Sequence, residues 1–428
     1  MNLVGISAVG SDENDIIKMT PNRKRIMLPI AEDIPQWIVK SDCFKFNRSV
    51  VTEDFYEATN RLMEAYDGLQ IRLSQNNDRE IYQYRYLGKK EEYYEVIILP
   101  AAEDEQTTFA FIRRSVESVE EKFSYNSSLM KILLCRSADS DYVVFVVHHA
   151  LVDQVSMNLI AEKFLEYYSD PQKVQPPELS YSDYVCRYLS NQQRKHSMEY
   201  SYWQDLNGRA AKVCHSSVMT GKPDLLDRSL KNPYGFQKDS FCIKSTILFE
   251  ISGGIEAQAA MKSGNGLFDI VMACLTKAFC DTFGSKHLYI DMAHNNRRTP
   301  GSGLMSHQTI GWISSVFPIL LPEGSVSQEK IDHSAKLIDL AVQYGDNWEC
   351  LLEFTAPVVS VNYLDSNMLR PKLDAMVERC PNFPSWPARL TNAHRQYLLS
   401  GGVLVNEGEI TVQWDFDPNL LDINVVRN

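Results

Sequence analysis

The sequence predicts an α/β protein built from two lobes. In the first half of the chain, apolar runs of strand length alternate with segments of helical periodicity. A stretch with three prolines at residues 169–180 separates this half from a second half that is rich in strand patterns. Two lobes of comparable size are the simplest division of 428 residues. We therefore expect an N-terminal lobe over residues 1–175 and a C-terminal lobe over residues 176–428.

The elements of the first half follow one another in alternation. An amphipathic helix begins at Thr52, and Phe55, Ala58 and Leu62 lie on its apolar face. Strand patterns are found at residues 69–73, 82–87, 93–99, 130–135 and 142–147. Helical spacing returns at residues 109–123 and 155–168, and the second of these helices ends before Pro171.

The second half begins with a helical stretch at residues 181–206 and a polar, turn-rich segment at 207–239. A further helix is predicted at residues 267–283. Strand patterns are found at residues 242–251, 287–292, 312–321, 358–363, 402–405 and 410–416. A cleft between two such lobes is a favoured place for a ligand.

Composition excludes several classes of function. The formal charge of −12 argues against nucleic-acid binding and against attraction to an anionic membrane. Nine cysteines without CxxC pairs argue against a disulfide scaffold and a zinc ribbon. The first residues do not have the pattern of a secretory signal, and no apolar stretch reaches membrane-spanning length, so we expect neither a leader nor a membrane helix. We expect a cytoplasmic protein that acts as a monomer.

Two adjacent histidines stand where a buried strand ends and a helix begins. His148, His149 and Asp153 form an HHxxxD pattern directly after the apolar run at 142–147. Neighbouring side chains on an extended backbone point in opposite directions, so one ring can face a cavity while the other packs inward. Histidine is suited to proton transfer near neutral pH, because its ordinary pKa is about 6.5.

This pattern suits direct acyl transfer, in which a neutral imidazole takes the proton of an attacking amine or alcohol. No GxSxG nucleophile elbow is present, so the chain need not form a covalent intermediate. A metal site is one alternative, but adjacent histidines rarely ligate one ion and no third ligand has motif spacing. A buried histidine pair without function is the other, and such a pair would be costly at a strand end. Asp153 has two interpretations, a cap for the following helix or an ion pair with an arginine of the other lobe.

The order of several short motifs resembles the condensation-domain family of nonribosomal peptide synthetases, relatives of chloramphenicol acetyltransferase. His148 to Asp153 is similar to the HHxxxDG motif of that family, except that Gln154 replaces the glycine. Further segments resemble family motifs in the family order: residues 65–72 (HDALR-type), 181–184 (YxDY), 202–203 (YW), 296–300 (GRxxP), 310–318 (GWFTxxFP), 361–364 (NYLG) and 408–416 (closing strand).

The resemblance implies two chloramphenicol-acetyltransferase-like lobes that form a V-shaped pseudo-dimer with a central tunnel, and segments of the second lobe that cross the interface as a floor and a latch. His149 would be the catalytic histidine. His148, Asp153 and Arg297 would be structural, with an Asp153–Arg297 ion pair for which Arg298 is the alternative partner. Ser360, Asn362, His294 and Trp312 are candidate tunnel residues, and Ser360 could bind an oxyanion. We expect no metal.

The implied substrate is an acyl or aminoacyl thioester on the 4′-phosphopantetheine of an acyl or peptidyl carrier protein, and no cofactor is bound permanently. A coenzyme A thioester is less favoured, because the DFGWG element of the branch that uses coenzyme A is absent. The acceptor is an amine or an alcohol, either free or carrier-bound. Since the chain has neither an adenylation domain nor a GxxS carrier motif, we expect it to act in trans.

Two other functions stay open. The motifs at 310–318 and 361–364 also resemble the epimerization branch, which needs a second acid or base. Residues 291–297 contain no glutamate, and Asp291 is a weak substitute because it lies within a predicted strand. A non-catalytic docking module is the other alternative, and Gln154 is its support.

Overall fold

The structure is a computed structural model that divides the chain into two compact units, each assembled from three segments. The first unit comprises Met1–Ser190, Gly303–Ile313 and Pro371–Leu390; the second comprises Asn191–Ser302, Ser314–Arg370 and Thr391–Asn428. The first unit therefore runs past the predicted boundary at residue 175 and includes two later segments. The residues that the structure describes are 16–20, 23, 39–76, 81–172, 175–194, 196–213, 219, 245–252, 266–297, 306–324, 327–345, 348, 355–365, 376–384, 397–406, 409–416 and 418–427.

The described residues of the first unit form two β-sheets. Its described strands are β1 (Ile16–Ile17), β2 (Val39–Phe46), β3 (Ile71–Gln75), β4 (Ile81–Arg85), β5 (Tyr94–Ile98), β6 (Met130–Arg136), β7 (Asp141–His148) and, in the last segment, β12 (Val377–Arg379). A three-stranded sheet has the order β1-β4-β3, and a five-stranded sheet has the order β12-β2-β7-β6-β5. Strand β7 is central and buried along its whole length, as its apolar run predicts.

The described α-helices that accompany these sheets are α1 (Thr52–Ala65), α2 (Glu105–Glu120), α3 (Gln154–Ser169) and α4 (Tyr181–Arg194). Helices α1 and α3 pack on one face of the five-stranded sheet through edge-to-face rings. The ring centroids of Phe145 and Phe164 are 5.4 Å apart, and those of Phe55 and Phe164 are 5.8 Å apart. Phe44 on β2 extends this chain of rings, 5.7 Å from Phe145. The end of β7 is therefore held on a rigid base.

The second unit contains a six-stranded sheet. Its described strands are β8 (Ser245–Ser252), β9 (His287–His294), β10 (Ser315–Pro322), β11 (Val359–Asp365), β13 (Leu399–Asn406) and β14 (Glu409–Phe416), in the order β10-β9-β11-β13-β14-β8. The described helices here are α5 (His196–Ala210), α6 (Leu267–Phe283), α7 (Gln328–Tyr344) and α8 (Ile423–Arg427). Helix α6 has the predicted bounds and ends at Gly284, whose φ of 63° is the left-handed conformation that glycine favours.

Most predicted elements are present, and the differences have local causes. The predicted helix at 109–123 begins four residues earlier, because Asp104 caps it by accepting the backbone N–H of Thr107 at 2.7 Å. The predicted strand at 312–321 begins only at Ser315. The helical stretch at 181–206 is two helices, α4 and α5. Strands β1, β2 and β12 and helices α7 and α8 were not predicted. In the described part of the chain, no helix is both long and apolar enough to span a membrane.

Candidate active site

The polypeptide turns at His148, the last residue of β7. His148 is completely buried, and its backbone N–H donates to the carbonyl oxygen of Leu129 at 2.8 Å. Its ring Nδ1 accepts a hydrogen bond from the backbone N–H of Ala150 at 3.1 Å. A neutral imidazole has one accepting and one donating nitrogen, so the ring proton of His148 lies on Nε2. The ring of His148 therefore closes the turn.

His149 has the opposite arrangement of its ring nitrogens. Its side chain is partly exposed, as the alternation of the two histidines predicts. Its Nδ1 lies 2.8 Å from the carbonyl oxygen of Val152. Because a carbonyl oxygen only accepts, Nδ1 is the donor, and the lone pair of the neutral ring lies on Nε2. This hydrogen bond selects the tautomer that a proton acceptor at Nε2 requires.

Burial also favours the neutral form of His149. It lowers the pKa of the imidazole below its ordinary value of 6.5, and the nearby Lys40 ammonium acts in the same direction. Hydrogen bonds with backbone groups and the Asp153 carboxylate oppose this shift. The indole of Trp312 lies against the ring, with centroids 5.0 Å apart and planes inclined by 46°. The imidazole is therefore held on one side by the carbonyl of Val152 and contacted by an aromatic ring.

Asp153 connects the histidine turn with the segment that carries Trp312. Its Oδ1 accepts the backbone N–H of Ser156 at 2.8 Å, which confirms the predicted cap of α3. Its Oδ2 accepts the backbone N–H of Ile313 at 3.1 Å. The hydroxyl of Ser156 donates to the carbonyl of Gly311 at 2.8 Å and accepts the N–H of the same residue at 3.0 Å. One carboxylate and one hydroxyl thus attach residues 311–313 to the start of α3.

Two glycines allow this segment to approach so closely. A Cβ at Gly311 would lie 2.2 Å from Cδ2 of Tyr181, and a Cβ at Gly68 would lie 1.9 Å from the carbonyl oxygen of Ile310. Asp67 accepts the backbone N–H groups of Tyr181 and Ser182, at 2.8 and 2.9 Å, at the start of α4. Four motifs that are far apart in the sequence, at residues 65–72, 148–153, 181–184 and 310–313, therefore meet within the first unit.

The remaining predicted site residues belong to the second unit. Ser360 lies on β11 opposite Asp291 of β9 and Ser400 of β13, on the sheet face away from α6. The hydroxyl of Tyr397 donates to Oδ2 of the buried Asp291 at 2.8 Å. Asn362 is exposed two residues further along the same face. Both Ser360 and Asn362 therefore lie on a polar sheet face, and their roles stay predictions.

His294 is the last residue of β9, and Arg297 lies three residues after it. Nδ1 of His294 accepts the backbone N–H of Asn296 at 3.1 Å, and burial lowers the pKa of this histidine. Arg297 is buried. Arg298, the alternative ion-pair partner, lies outside the described residues. Since Asp153 and Arg297 belong to different units, their ion pair stays a prediction.

Sequence reasoning missed one charged residue beside the histidines. Lys40 lies on the unpredicted strand β2 and donates a hydrogen bond from Nζ to Oε1 of Gln154. The interruption of an apolar strand pattern by Lys40, Ser41 and Asp42 hid the strand, although three polar residues in such a pattern are themselves a signal. No described group of three or more histidine, cysteine or acidic side chains could hold a metal ion.

Comparison with known proteins identifies the family. A family model described as Condensation domain matches residues 22–330, which is more than half of the chain. The chain belongs to the condensation-domain family. The resemblance seen in the sequence motifs is thereby confirmed, together with the chloramphenicol-acetyltransferase-like fold.

Curated relatives of this condensation domain are much longer proteins. Bacitracin synthase 1 of Bacillus licheniformis is 23% identical over 324 residues, which are 71% of this chain and 6% of that protein. Bacitracin synthase 3 of the same organism is 23% identical over 296 residues, which are 65% of this chain and 4% of that protein. The chain therefore spans only a small part of the synthases it matches.

Solved structures of the same fold come from several kinds of synthetase domain. The epimerization domain from the third module of tyrocidine synthetase B has a TM-score of 0.71 at 16% identity, and the match covers 96% of this chain and 94% of that one. The X-domain from teicoplanin biosynthesis has a TM-score of 0.68 at 14% identity, covering 99% and 94%. The first condensation domain of the calcium-dependent antibiotic synthetase has a TM-score of 0.64 at 14% identity, covering 96% and 94%. At these identities the likeness defines the fold.

Proposed function

We propose that this condensation domain is an acyltransferase that forms an amide or an ester from an acyl or aminoacyl thioester. The donor is the 4′-phosphopantetheine arm of an acyl or peptidyl carrier protein, and the acceptor is an amine or an alcohol. The domain acts in trans in the biosynthesis of a nonribosomal peptide. The observation that carries this proposal is the 2.8 Å hydrogen bond from Nδ1 of His149 to the carbonyl of Val152.

The chemistry follows from this hydrogen bond. Nε2 of the neutral ring takes the proton of the acceptor N–H or O–H as the acceptor attacks the thioester carbonyl. The carbonyl of Val152 then stabilises the imidazolium through the Nδ1–H bond. When the C–S bond breaks, the imidazolium returns the proton to the leaving thiolate, which yields the free pantetheine thiol. No permanently bound cofactor takes part, and holding donor and acceptor together supplies much of the rate.

The test is a transfer assay with His149→Ala. The full chain is incubated with carrier protein loaded with a set of acyl thioesters and with a mixture of amines and alcohols, and mass spectrometry detects new amides and esters. We expect about a 100-fold or greater loss of product in the variant, the usual contribution of a general base. Circular dichroism checks that the variant is folded. Full activity in folded His149→Ala would remove His149 from the mechanism and contradict the proposal.

Epimerization of a carrier-bound aminoacyl thioester is the second candidate function. The observation that favours it is Asp291, a buried carboxylate in the second unit that could serve as a second acid or base with Tyr397 as its hydrogen-bond donor. Incubation of the thioester in deuterated water without an acceptor separates the two reactions. Exchange of the α-hydrogen would favour epimerization, whereas acyl transfer leaves that hydrogen in place.

A non-catalytic docking module is the third candidate, and Gln154 in the glycine position of the motif supports it. In this case His149→Ala would leave pathway output unchanged, whereas deletion of the chain would abolish it.

A further inference from the structure

The side chain of Lys40 lies on the same face of the five-stranded sheet as that of Val147, two residues before His149. In the antiparallel pair of β2 and β7, Val39 is opposite His148 and Lys40 is opposite Val147. Opposite side chains share a face, and His149 is two residues beyond Val147. The ammonium of Lys40 is accordingly one of the charges that act on the imidazole of His149.

Gln154 connects this lysine to the histidine turn. Lys40 is only 7% exposed, and its Nζ donates to Oε1 of Gln154, the first residue of α3. A buried ammonium needs hydrogen-bond acceptors, and glycine at this position would supply no side-chain oxygen. The amide oxygen accepts the hydrogen bond and leaves the positive charge of Lys40 in place. A carboxylate would neutralise that charge. The residue that departs from the family motif therefore holds a cation close to the proposed base.

Among the described residues, two charged groups that act on the imidazole of His149 come from different elements. Strand β2 contributes Lys40, and the start of α3 contributes the carboxylate of Asp153, both of which act on the imidazole. The segment 306–313 contributes the neutral ring of Trp312. Burial lowers the pKa of Lys40 itself, and Arg379 acts in the same direction, whereas the Asp42 carboxylate opposes the shift and favours the ammonium. Because Asp153 already binds the N–H groups of Ser156 and Ile313, its charge is shared with two donors of its own.

We propose that Lys40 and Gln154 form an electrostatic pair that keeps the imidazole of His149 neutral in the turn after β7. Lys40 is a positioning residue that acts through His149 and does not touch the substrate. Its effect on rate rests on the proposed acyl transfer, whereas its effect on the protonation of His149 does not. The pair extends activity to lower pH, because His149 remains able to accept a proton there.

The experiment is a titration of the histidine rings by nitrogen-15 NMR in the full chain, with His149 assigned from the spectrum of His149→Gln. Lys40→Met removes the charge while keeping an unbranched side chain. Lys45→Met is the matched control, because it makes the same change on the same strand at a partly exposed site near Glu105. Lys40→Arg keeps the charge, and Gln154→Glu keeps the acceptor but adds a negative charge.

We expect Lys40→Met and Gln154→Glu each to raise the pKa of His149 by about 0.5–1 unit, the effect of one nearby charge. Lys40→Arg and Lys45→Met should titrate as the original chain does. In the transfer assay the acid limb of the pH–rate profile should move upward by the same amount in the first two variants alone. If Lys40→Met does not fold, the comparison of the pKa of His149 between Gln154→Glu and the original chain tests the proposal.

Two results separate the failure of this inference from failure of the proposed function. An unchanged pKa of His149 in both Lys40→Met and Gln154→Glu overturns the inference, whether or not the chain transfers acyl groups. Absence of transfer in every chain, together with the expected pKa changes, overturns the proposed function and leaves the electrostatic pair intact.

Discussion

The ends of β7 and β9, one in each unit, are alike in the hydrogen bond that their last residue accepts. Each strand ends at a buried or largely buried histidine, His148 or His294, and each ring accepts the backbone N–H of the residue two positions further on at 3.1 Å. The next residue is His149 in the first unit and Asn295 in the second. A histidine at a strand end is thus a turn-closing residue in both units, whereas the residue that follows it differs in its chemistry.

This difference explains why the two units have unequal roles in the proposed reaction. In the first unit the residue after the turn-closing histidine is an imidazole whose Nδ1 donates to a carbonyl, which leaves a basic nitrogen. Asparagine at the same place has no basic group, although Oδ1 of Asn295 accepts the N–H of Arg297 at 3.3 Å. In the proposed acyl transfer, the proton acceptor therefore belongs to the first unit.

The largest expected effect comes from the glycines of the first unit. Gly311→Ala would place a methyl group 2.2 Å from the ring of Tyr181, whereas a Cβ at Gly402 in the second unit would meet no atom within 4 Å. We expect Gly311→Ala to lower the free energy of unfolding by about 3 kcal/mol, at the upper end for overpacking. Gly402→Ala is the matched control and should be neutral within about 0.5 kcal/mol. Urea unfolding measures both, and equal values would show that the segment 311–313 is not packed as described.

The second-largest effect concerns the hydrogen bonds by which Asp153 joins the start of α3 to residues 311–313. Asp153→Ala leaves the N–H groups of Ser156 and Ile313 without their acceptor, so we expect a loss of about 2 kcal/mol of stability. Trp312 should also leave the ring of His149, which tryptophan fluorescence and the chemical shift of the ring report. Asp153→Asn keeps an oxygen for Ser156 and should be intermediate. An unaltered chemical shift of the His149 ring in Asp153→Ala would show that Asp153 does not hold Trp312 against that ring.

A smaller effect tests the likeness of the two strand ends directly. His148→Ala and His294→Ala each remove the acceptor of a backbone N–H, which should cost about 1–2 kcal/mol of stability in either unit. Asparagine at each position can present Oδ1 where Nδ1 stood, so it should recover part of the loss. If the asparagine variants are no more stable than the alanine variants, the rings do not close the turns through Nδ1.

The smallest effect is on the pH dependence of stability. Burial lowers the pKa of His149 and of His294 in the folded chain below the ordinary value of 6.5. The unfolded chain therefore binds more protons below about pH 6.5, and the free energy of unfolding decreases as the pH falls from there through the folded-state pKa values. Urea unfolding of the original chain and of His294→Asn across this range should give a weaker pH dependence for the variant. Identical pH dependences would exclude His294 as a buried neutral ring.

The same comparison shows how far the sequence alone could be interpreted. Strand β7 was predictable because its residues are apolar on both faces, and the cap at Asp153 was predictable because an acidic residue precedes a helical pattern. Strand β2 was not predictable, because Lys40 and Asp42 interrupt its apolar pattern. Each of these buried side chains has a hydrogen-bond partner that is distant in the sequence. Pairing by Gln154 and Arg379 depends on the tertiary fold, so no local pattern could reveal it.

The glycines illustrate the other limit. Gly68 and Gly311 belong to motifs recognisable by resemblance, yet the reason for each glycine is a close approach to another segment. The ring orientations of His148 and His149 were predictable only as alternation along an extended chain. Which nitrogen carries the proton depends on the carbonyl of Val152 and the N–H of Ala150, which the folded turn brings to the rings.

The most direct test of the central claim is the tautomer of His149, measured by nitrogen-15 NMR of the labelled ring in the full chain at neutral pH. Our account predicts a neutral imidazole with its proton on Nδ1 and the lone pair on Nε2, and the opposite tautomer for His148. A proton on Nε2 of His149, or an imidazolium at neutral pH, would contradict it.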